Sequence, residues 1–214
     1  MNKLPQFFSL LCLFSLLISF GCDDRNNKQT KNEIIEIEPT EKEEFIEIAE
    51  HFVAAFDLKS VQTINDYIIS DIGFFVLDNP GAAIIPHYYT SWDEIAAIEG
   101  TYDVAQLNHM EMGCNNPVSG KKPEFSCDEE GWSETGCFYG KAESLKMLEM
   151  HDVLLEIGFI DKTHYDKAIE SAKKIDTMSL FFIYNTETTL GFYFAKYNDS
   201  WILVCVDKVF PCSA

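Results

Sequence analysis

The stretch that decides the fold is MSLFFIYNTETTLGFYFAKYNDSWILVCVD, residues 178–207. It holds three aromatic and β-branched runs, each of the length typical of a strand. The runs are residues 178–184, 190–197 and 201–207. Short polar connections separate them, and connections of that kind join antiparallel neighbours. The sequence therefore predicts a three-stranded antiparallel meander at the C-terminal end of the domain.

Helical patterns precede this meander. Thr40 and Glu43 form a Ser/Thr-x-x-Glu capping box, which satisfies free amide donors at a helix start. The apolar residues behind the box recur at helical spacing and give one stripe. They are Phe45, Ile48, Ala49, Phe52, Val53 and Phe56. The sequence thus predicts a long N-terminal helix, a shorter helix at 60–68, and another after a second capping box at 91–94.

The remaining segments mix strand and helix patterns. Residues 74–77 and 82–89 predict strands, and residues 101–107 predict an extended segment. Residues 141–157 contain helix formers without a clear period, whereas residues 161–175 predict a helix with one apolar side. Together these patterns predict the α+β class. N-terminal helices would pack on a curved, mainly antiparallel sheet that ends in the meander.

Residues 108–140 interrupt these patterns with glycine, proline, asparagine, serine and cysteine, and we interpret them as an insertion. The cysteines beyond the first 21 residues are Cys22, Cys114, Cys127, Cys137, Cys205 and Cys212. If Cys22 is modified, an odd number remains, so one thiol stays unpaired or bonds elsewhere. Cys127 and Cys137 bracket a glycine-rich loop and form the predicted disulfide. A second pairing joins the first cysteine of the insertion to one of the two C-terminal cysteines.

The order of elements resembles the nuclear-transport-factor-like cone fold, in which a curved sheet wraps a long N-terminal helix. The resemblance covers about 41–98 and 178–207, and it rests on element order and on the turn before Trp201. It implies an enclosed cavity, and some members of that fold are isomerases or dehydratases. The cysteine-bearing insertion departs from the pattern. Residues 73–75 and 79–81 also resemble uncharacterised bacterial lipoproteins, a likeness that implies no activity.

The N-terminus has the three-part layout of an export signal. A weakly basic start is followed by an apolar core at 7–18 and then by Ser19-Phe20-Gly21-Cys22. The core is shorter than the ~20 apolar residues of a membrane span. Residues 1–21 resemble a bacterial lipoprotein signal peptide, which implies a thioether-linked diacylglycerol on Cys22. Two alternatives stay open. An ordinary signal peptidase would cut the same bond and leave a free thiol, or the leader would remain as an uncleaved anchor.

This resemblance sets the predicted domain plan and location. Residues 22–41 form an acidic, flexible tether because they carry few large apolar side chains, and residues 42–214 form one α+β domain. The lipid anchor implies the bacterial cell envelope, on the periplasmic or surface face of the outer membrane. The acidic pair Asp23-Asp24 resembles signals that place lipoproteins on the cell surface of some Gram-negative bacteria.

The composition argues against nucleic acid as a partner. The chain has 35 acidic and 16 basic side chains, a formal net charge of −19. That charge disfavours nucleic-acid binding, because Lys and Arg must neutralise phosphates there. It favours solubility and would attract a basic partner or divalent cations. Plentiful aromatic residues, 17 Phe and 9 Tyr among them, indicate a packed core rather than disorder.

Catalytic and cofactor motifs are not evident in the sequence. No nucleophile elbow or phosphate-binding glycine loop occurs, and no Cys or His pair has zinc spacing. We therefore predict no metal and no cofactor. His87, Tyr88 and Tyr184 are the residues predicted to line a pocket.

These observations predict an exported lipoprotein, anchored to the membrane at Cys22. Its acidic, non-catalytic domain would bind a protein or a small ligand. Two alternatives are a small-molecule enzyme of the cone fold, of the isomerase or dehydratase type, and an inhibitor of a basic exported protein.

Overall fold

A computed structural model describes residues 39–80, 83–100 and 103–212 of the chain. Residues 1–38 hold the predicted signal peptide, Cys22 and most of the predicted tether, and they lie outside the described residues. The described residues belong to one compact unit.

Helices pack on both faces of the sheet. In chain order they are α1 (Pro39–Asp57), α2 (Val61–Asn65), α3 (Trp92–Ala96), a 3₁₀ helix (Asp103–Asn108), α4 (Met147–Glu156) and α5 (Lys162–Asp176). The strands are β1 (Phe74–Asp78), β2 (Ile85–Tyr89), β3 (Val118–Ser119), β4 (Phe125–Ser126), β5 (Gly131–Trp132), β6 (Cys137–Ala142), β7 (Leu180–Asn185), β8 (Leu190–Tyr197) and β9 (Ser200–Asp207). The α+β class predicted from the sequence is confirmed.

Among the described residues, seven strands form one mixed sheet in the order β2-β1-β9-β8-β7-β6-β3. The pairs β1–β9 and β3–β6 are parallel, and the other neighbours are antiparallel. Strands β7, β8 and β9 follow one another as antiparallel neighbours, as the run at 178–207 predicts. Strands β4 and β5 form a separate hairpin.

Both faces of the sheet are buried. On one face, rings of α1 contact rings of the central strands; Phe52 lies 4.8 Å from Phe192 and Phe45 lies 5.1 Å from Phe181, measured between ring centres. On the other face lie α4 and α5. Met147 of α4 belongs to a second apolar cluster on this face. Alternate residues of a strand point to opposite faces. Two buried faces therefore explain why the strand sequences are almost continuously apolar.

Three segments differ from the predictions. Residues 103–108 form a 3₁₀ helix instead of an extended segment. Residues 141–157, which contain helix formers without a clear period, begin as the end of β6 and become helical only from Met147. The insertion is also less irregular than predicted, because it contributes β3, β4, β5 and the start of β6. Strands β3, β4 and β5 are two residues long each, so they leave no local periodicity.

The predicted Cys127–Cys137 disulfide is wrong. Cys137 opens β6 and is buried against the α1 face, where it bonds to Cys114. Cys127 is exposed beyond β4 and bonds to Cys212, 85 residues away. Closeness in sequence misled the prediction, since β6 turns Cys137 into the core and away from the hairpin. Cys205 is the odd thiol, buried and unbonded in the described chain.

Candidate ligand-binding cleft

A cleft of about 450 Å³ lies on the sheet face opposite α1 and is the candidate binding site. Its floor is made by Phe182 of β7 and Tyr193 of β8. Lys121, Lys122 and Lys141 border it, and we refer to it as the lysine cleft. Two lysines come from the insertion and one from β6, so the insertion builds one wall.

A glycine makes room for a row of polar side chains beside this cleft. Tyr184, Gly191 and Asp207 are cross-strand neighbours on β7, β8 and β9. A Cβ atom at Gly191 would collide with the ring of Tyr184. The missing side chain therefore lets that ring lie over β8, toward Asp207. Because the three strands are antiparallel and adjacent, the row is fixed by the sheet register.

Lys122 reaches from the insertion into this row. Its Nζ donates to Asp207 Oδ2 at 2.6 Å and to the Tyr193 hydroxyl at 3.4 Å, and it lies 4.1 Å from the centre of the Tyr184 ring. The Tyr193 hydroxyl also donates to Asp207 Oδ2 at 3.5 Å, and the amide of Val209 donates to Oδ1 at 3.1 Å. Only 7% of the Asp207 side chain is exposed. Its charge is thus paired and hydrogen-bonded, as a buried carboxylate requires.

Burial controls the protonation of the neighbouring groups. It raises the pKa of Tyr193 and of Tyr184 well above that of free tyrosine, and the negative charge of Asp207 adds to the shift in pKa. Burial likewise raises the pKa of the Cys205 thiol. All three groups keep their protons at neutral pH, and a buried protonated thiol is a poor nucleophile. The cluster therefore holds Lys122 in position, and its two tyrosines and Cys205 stay protonated at neutral pH.

Two further lysines stay available to a ligand. Lys121 and Lys141 are exposed, and within the described ranges neither forms a salt bridge. In a chain with 35 acidic and 16 basic side chains, three lysines around one cleft are a local reversal of charge. Glu124 and Glu143 also line the cleft and moderate that charge. A concave surface of this kind attracts anions.

The hairpin of the insertion supports the wall. The Trp132 ring lies 5.5 Å from Tyr184 and 5.2 Å from Phe125, both in edge-on arrangements. The disulfide between Cys127 and Cys212 ties the same hairpin to the C-terminal residues. Because aromatic contact and disulfide act on one short hairpin, the segment that carries Lys122 is anchored on the sheet.

The residues predicted to line a pocket are not brought together. His87 and Tyr88 lie on β2, four strands away from Tyr184 on β7. The Tyr88 hydroxyl donates to the carbonyl oxygen of Ile72 and accepts from Ser171, so it serves packing between the sheet and α5. Burial lowers the pKa of His87, which keeps this histidine neutral. Of the three, Tyr184 alone adjoins the lysine cleft.

Sequence reasoning missed Lys122, Tyr193 and Asp207. One signal was present: Asp207 ends an apolar strand run, and a charged side chain there needs a partner. A second signal was the pair Lys121-Lys122 inside an acidic chain. Neither signal shows which residue the charged side chain would pair with.

No protein-family model, curated protein or solved structure matches this chain. In the described part of the chain, no group of three or more His, Cys, Asp or Glu side chains is placed to hold a metal ion. No helix among the described residues is long and apolar enough to cross a membrane. The two disulfides indicate an oxidising, extracytoplasmic location.

Proposed function

We propose that this chain is an exported lipoprotein, anchored through Cys22, whose acidic domain binds a small organic anion in the lysine cleft. The observation that carries the proposal is a cleft bordered by Lys121, Lys122 and Lys141 and floored by aromatic residues, in a strongly acidic chain. The cleft volume of about 450 Å³ falls in the range of small-molecule sites.

The chemistry of the cleft defines the ligand class. Phe182 and Tyr193 form an aromatic floor, and Leu145 adds a half-buried aliphatic side chain. Lys121 and Lys141 border the cleft and have no carboxylate partner in the described residues. A carboxylate on a flat apolar body satisfies both features. An inorganic anion would use the lysines and leave the floor in contact with water.

Cysteine usage supports the export and lipid parts of the proposal. Four of the five cysteines after Cys22 form the two disulfides, and Cys205 is buried. No exposed thiol in the described residues is left to pair with Cys22, which leaves Cys22 available for acylation. Cys22→Ala should therefore move the protein from the membrane fraction to the soluble fraction. An unchanged distribution, or an intact mass without acyl groups in the membrane-extracted protein, would refute lipidation.

The ligand part is tested with a matched pair of probes. We expect calorimetric titration of the full chain to show that 1-naphthoate binds at least about tenfold more tightly than neutral 1-naphthamide, a difference of about 1.4 kcal/mol. The double variant Lys121→Gln/Lys141→Gln should abolish that preference. Lys174→Gln removes one charge from an exposed helix position away from the cleft and is the control. Equal binding of the two probes, or equal loss in the control, would refute an anion site.

The cone-type arrangement remains part of the proposal, supported by the rings of α1 that lie on the central strands. An enzyme of that fold would need a cavity between the sheet and the N-terminal helix. In the described residues, that space is occupied by packed rings, including Phe45, Phe52 and Phe56. The lysine cleft lies on the opposite face, so binding is favoured over cone-type catalysis.

A further inference from the structure

Helix α4 turns apolar side chains to the solvent as well as to the sheet. Its inner side is formed by Met147, His151 and Leu154, which are buried. The outer side of a surface helix is normally polar. Here Val153 is 50% exposed, and Ile157, one turn later at the end of the helix, is 62% exposed. Residues four positions apart are neighbours on one helix face, so the two side chains form a single apolar surface.

A turn directly after α4 adds a third exposed apolar side chain. The amide of Gly158 donates to the carbonyl oxygen of Leu155 at 3.1 Å, and the amide of Phe159 donates to that of Leu154 at 2.8 Å. This is the Schellman pattern, with Gly158 in the left-handed region at φ 72°. It holds the backbone of Phe159 at the last turn of α4, and the Phe159 side chain is 57% exposed. We refer to Val153, Ile157 and Phe159 as the α4 patch.

The α4 patch is concentrated and held in place. Among the described residues, three of the eight exposed large apolar side chains lie within 153–159. The helix start is fixed as well, because Asp176 of α5 accepts from the amides of Met147 and Leu148 at 2.8 and 2.9 Å. Single exposed apolar side chains are normal on a protein surface, whereas a group of them indicates an interaction site. A fixed surface also binds a partner at a lower entropic cost than a mobile one.

Acidic side chains lie beside the α4 patch. Residues 146–161 contain four acidic side chains and one basic side chain, a local net charge of −3. Glu149, Asp152 and Glu156 line a shallow groove of about 360 Å³ along α4, together with Val153. The one ion pair of Glu149, with Lys146 at 3.6 Å, is exposed on both sides and therefore weak. The patch thus has an acidic rim that is open to a basic partner.

This combination selects one kind of occupant. The acidic rim disfavours a second copy of this chain, whose formal net charge is −19, and it disfavours an anionic lipid surface. It attracts Lys and Arg side chains, while the patch accepts aliphatic or aromatic ones. The complement is a helix whose apolar side chains recur on one face and are flanked by basic residues.

We propose that the α4 patch binds a cationic amphipathic helix of another protein. The apolar face of that helix covers Val153, Ile157 and Phe159, and its basic side chains lie near Asp152 and Glu156. None of the three patch residues lines the lysine cleft, so this interaction is independent of the anion proposed there.

Fluorescence anisotropy of the labelled model peptide KLAKLAKKLAKLAK, titrated with the full chain, tests the apolar contact. The leucines of this peptide recur on one helix face between lysines. The double variant Val153→Ser/Phe159→Ser should weaken binding at least about tenfold, because the patch is lost. Leu58→Ser is the matched control, since Leu58 is 80% exposed and follows α1, which packs on the other face of the sheet. It should change binding by less than about twofold. All replaced side chains are exposed, so the melting temperatures should not change.

The acidic rim is tested separately. Glu149→Gln/Glu156→Gln should weaken the peptide about threefold at about 50 mM salt, and the difference should shrink at about 0.5 M salt because charges are then screened. The loss in the apolar variant should persist at both salt concentrations. Glu187→Gln removes an exposed charge from the β7–β8 turn and should have no effect. The neutral peptide QLAQLAQQLAQLAQ should bind at least about tenfold more weakly than the lysine peptide.

Four results would overturn the proposal. The first is no binding of the lysine peptide at about 100 µM chain. The second is equal weakening by the Leu58 control, and the third is equal binding of the two peptides. The fourth is dimerisation of the wild-type chain in sedimentation that the Val153→Ser/Phe159→Ser variant abolishes, because the α4 patch would then be a contact between copies of this chain.

Discussion

Replacement of Lys122 by methionine tests whether the contacts of Lys122 with Asp207, Tyr193 and Tyr184, beside the lysine cleft, stabilise the domain. Methionine keeps most of the length of the side chain and its contact with the Tyr184 ring, and it removes the charge. Asp207 then loses the donor at 2.6 Å and keeps only the Tyr193 hydroxyl at 3.5 Å and the Val209 amide at 3.1 Å. A buried carboxylate is left without a cation.

The expected magnitude follows from these contacts. A hydrogen bond to a charged group contributes about 1.5–3 kcal/mol, and an exposed cation over a ring adds about 0.5–1 kcal/mol. The Lys122 side chain is 34% exposed, so water partly screens the pair and the lower part of the range applies. We expect the free energy of unfolding to fall by about 2 kcal/mol, which lowers the melting temperature by about 4–8 °C in a domain of this size.

The assay is urea unfolding with intact disulfides, followed by tryptophan fluorescence. Lys121→Met is the matched control, because Lys121 is exposed and makes no salt bridge within the described ranges, and it should leave stability unchanged. A double-mutant cycle with Asp207→Asn should give a coupling energy of about 1–2 kcal/mol. If the Lys122 and Lys121 variants are equally stable, or the cycle is additive, the row does not stabilise the domain.

Two further predictions concern packing and pH. Gly191→Ala should destabilise the domain by about 2–3 kcal/mol in urea unfolding because its Cβ collides with Tyr184, whereas Gly120→Ala, which meets open space, should not. Burial lowers the pKa of His151 below its ordinary 6.5, so the unfolded chain binds a proton first and stability should fall as pH drops below 6.5. His151→Gln should flatten this slope in denaturation curves between pH 7.5 and 5.5, and His109→Gln, which changes an exposed residue, should keep it.

The periodic parts of the fold were readable from the sequence. The meander at 178–207 and helix α1 were predicted because their side chains repeat with the spacing of a strand or a helix over several turns or residues. The second capping box was also confirmed, since Glu94 accepts from the backbone amide of Ser91 at 3.1 Å. In these segments, local preference and tertiary packing agree.

The insertion could not be predicted, because its order comes from distant partners. Lys122 and Asp207 are 85 residues apart, and so are Cys127 and Cys212. No local pattern encodes such pairs. The three residues predicted to line a pocket are not adjacent, and part of the reason is visible in the sequence. His87 and its neighbour Tyr88 occupy one strand, so their side chains point to opposite faces and cannot line one pocket.

The disulfides connect the proposed location to the proposed site. One bond joins Cys114 to the first residue of β6, and the other joins the hairpin beyond Lys122 to the C-terminal segment. The wall that carries Lys121 and Lys122 thus lies between two crosslinked points. Crosslinks restrict the unfolded chain and the loops that they close, and they persist in oxidising compartments. Because the insertion has little periodic structure of its own, we expect the lysine cleft to be fully formed only in an oxidising compartment, where both bonds form.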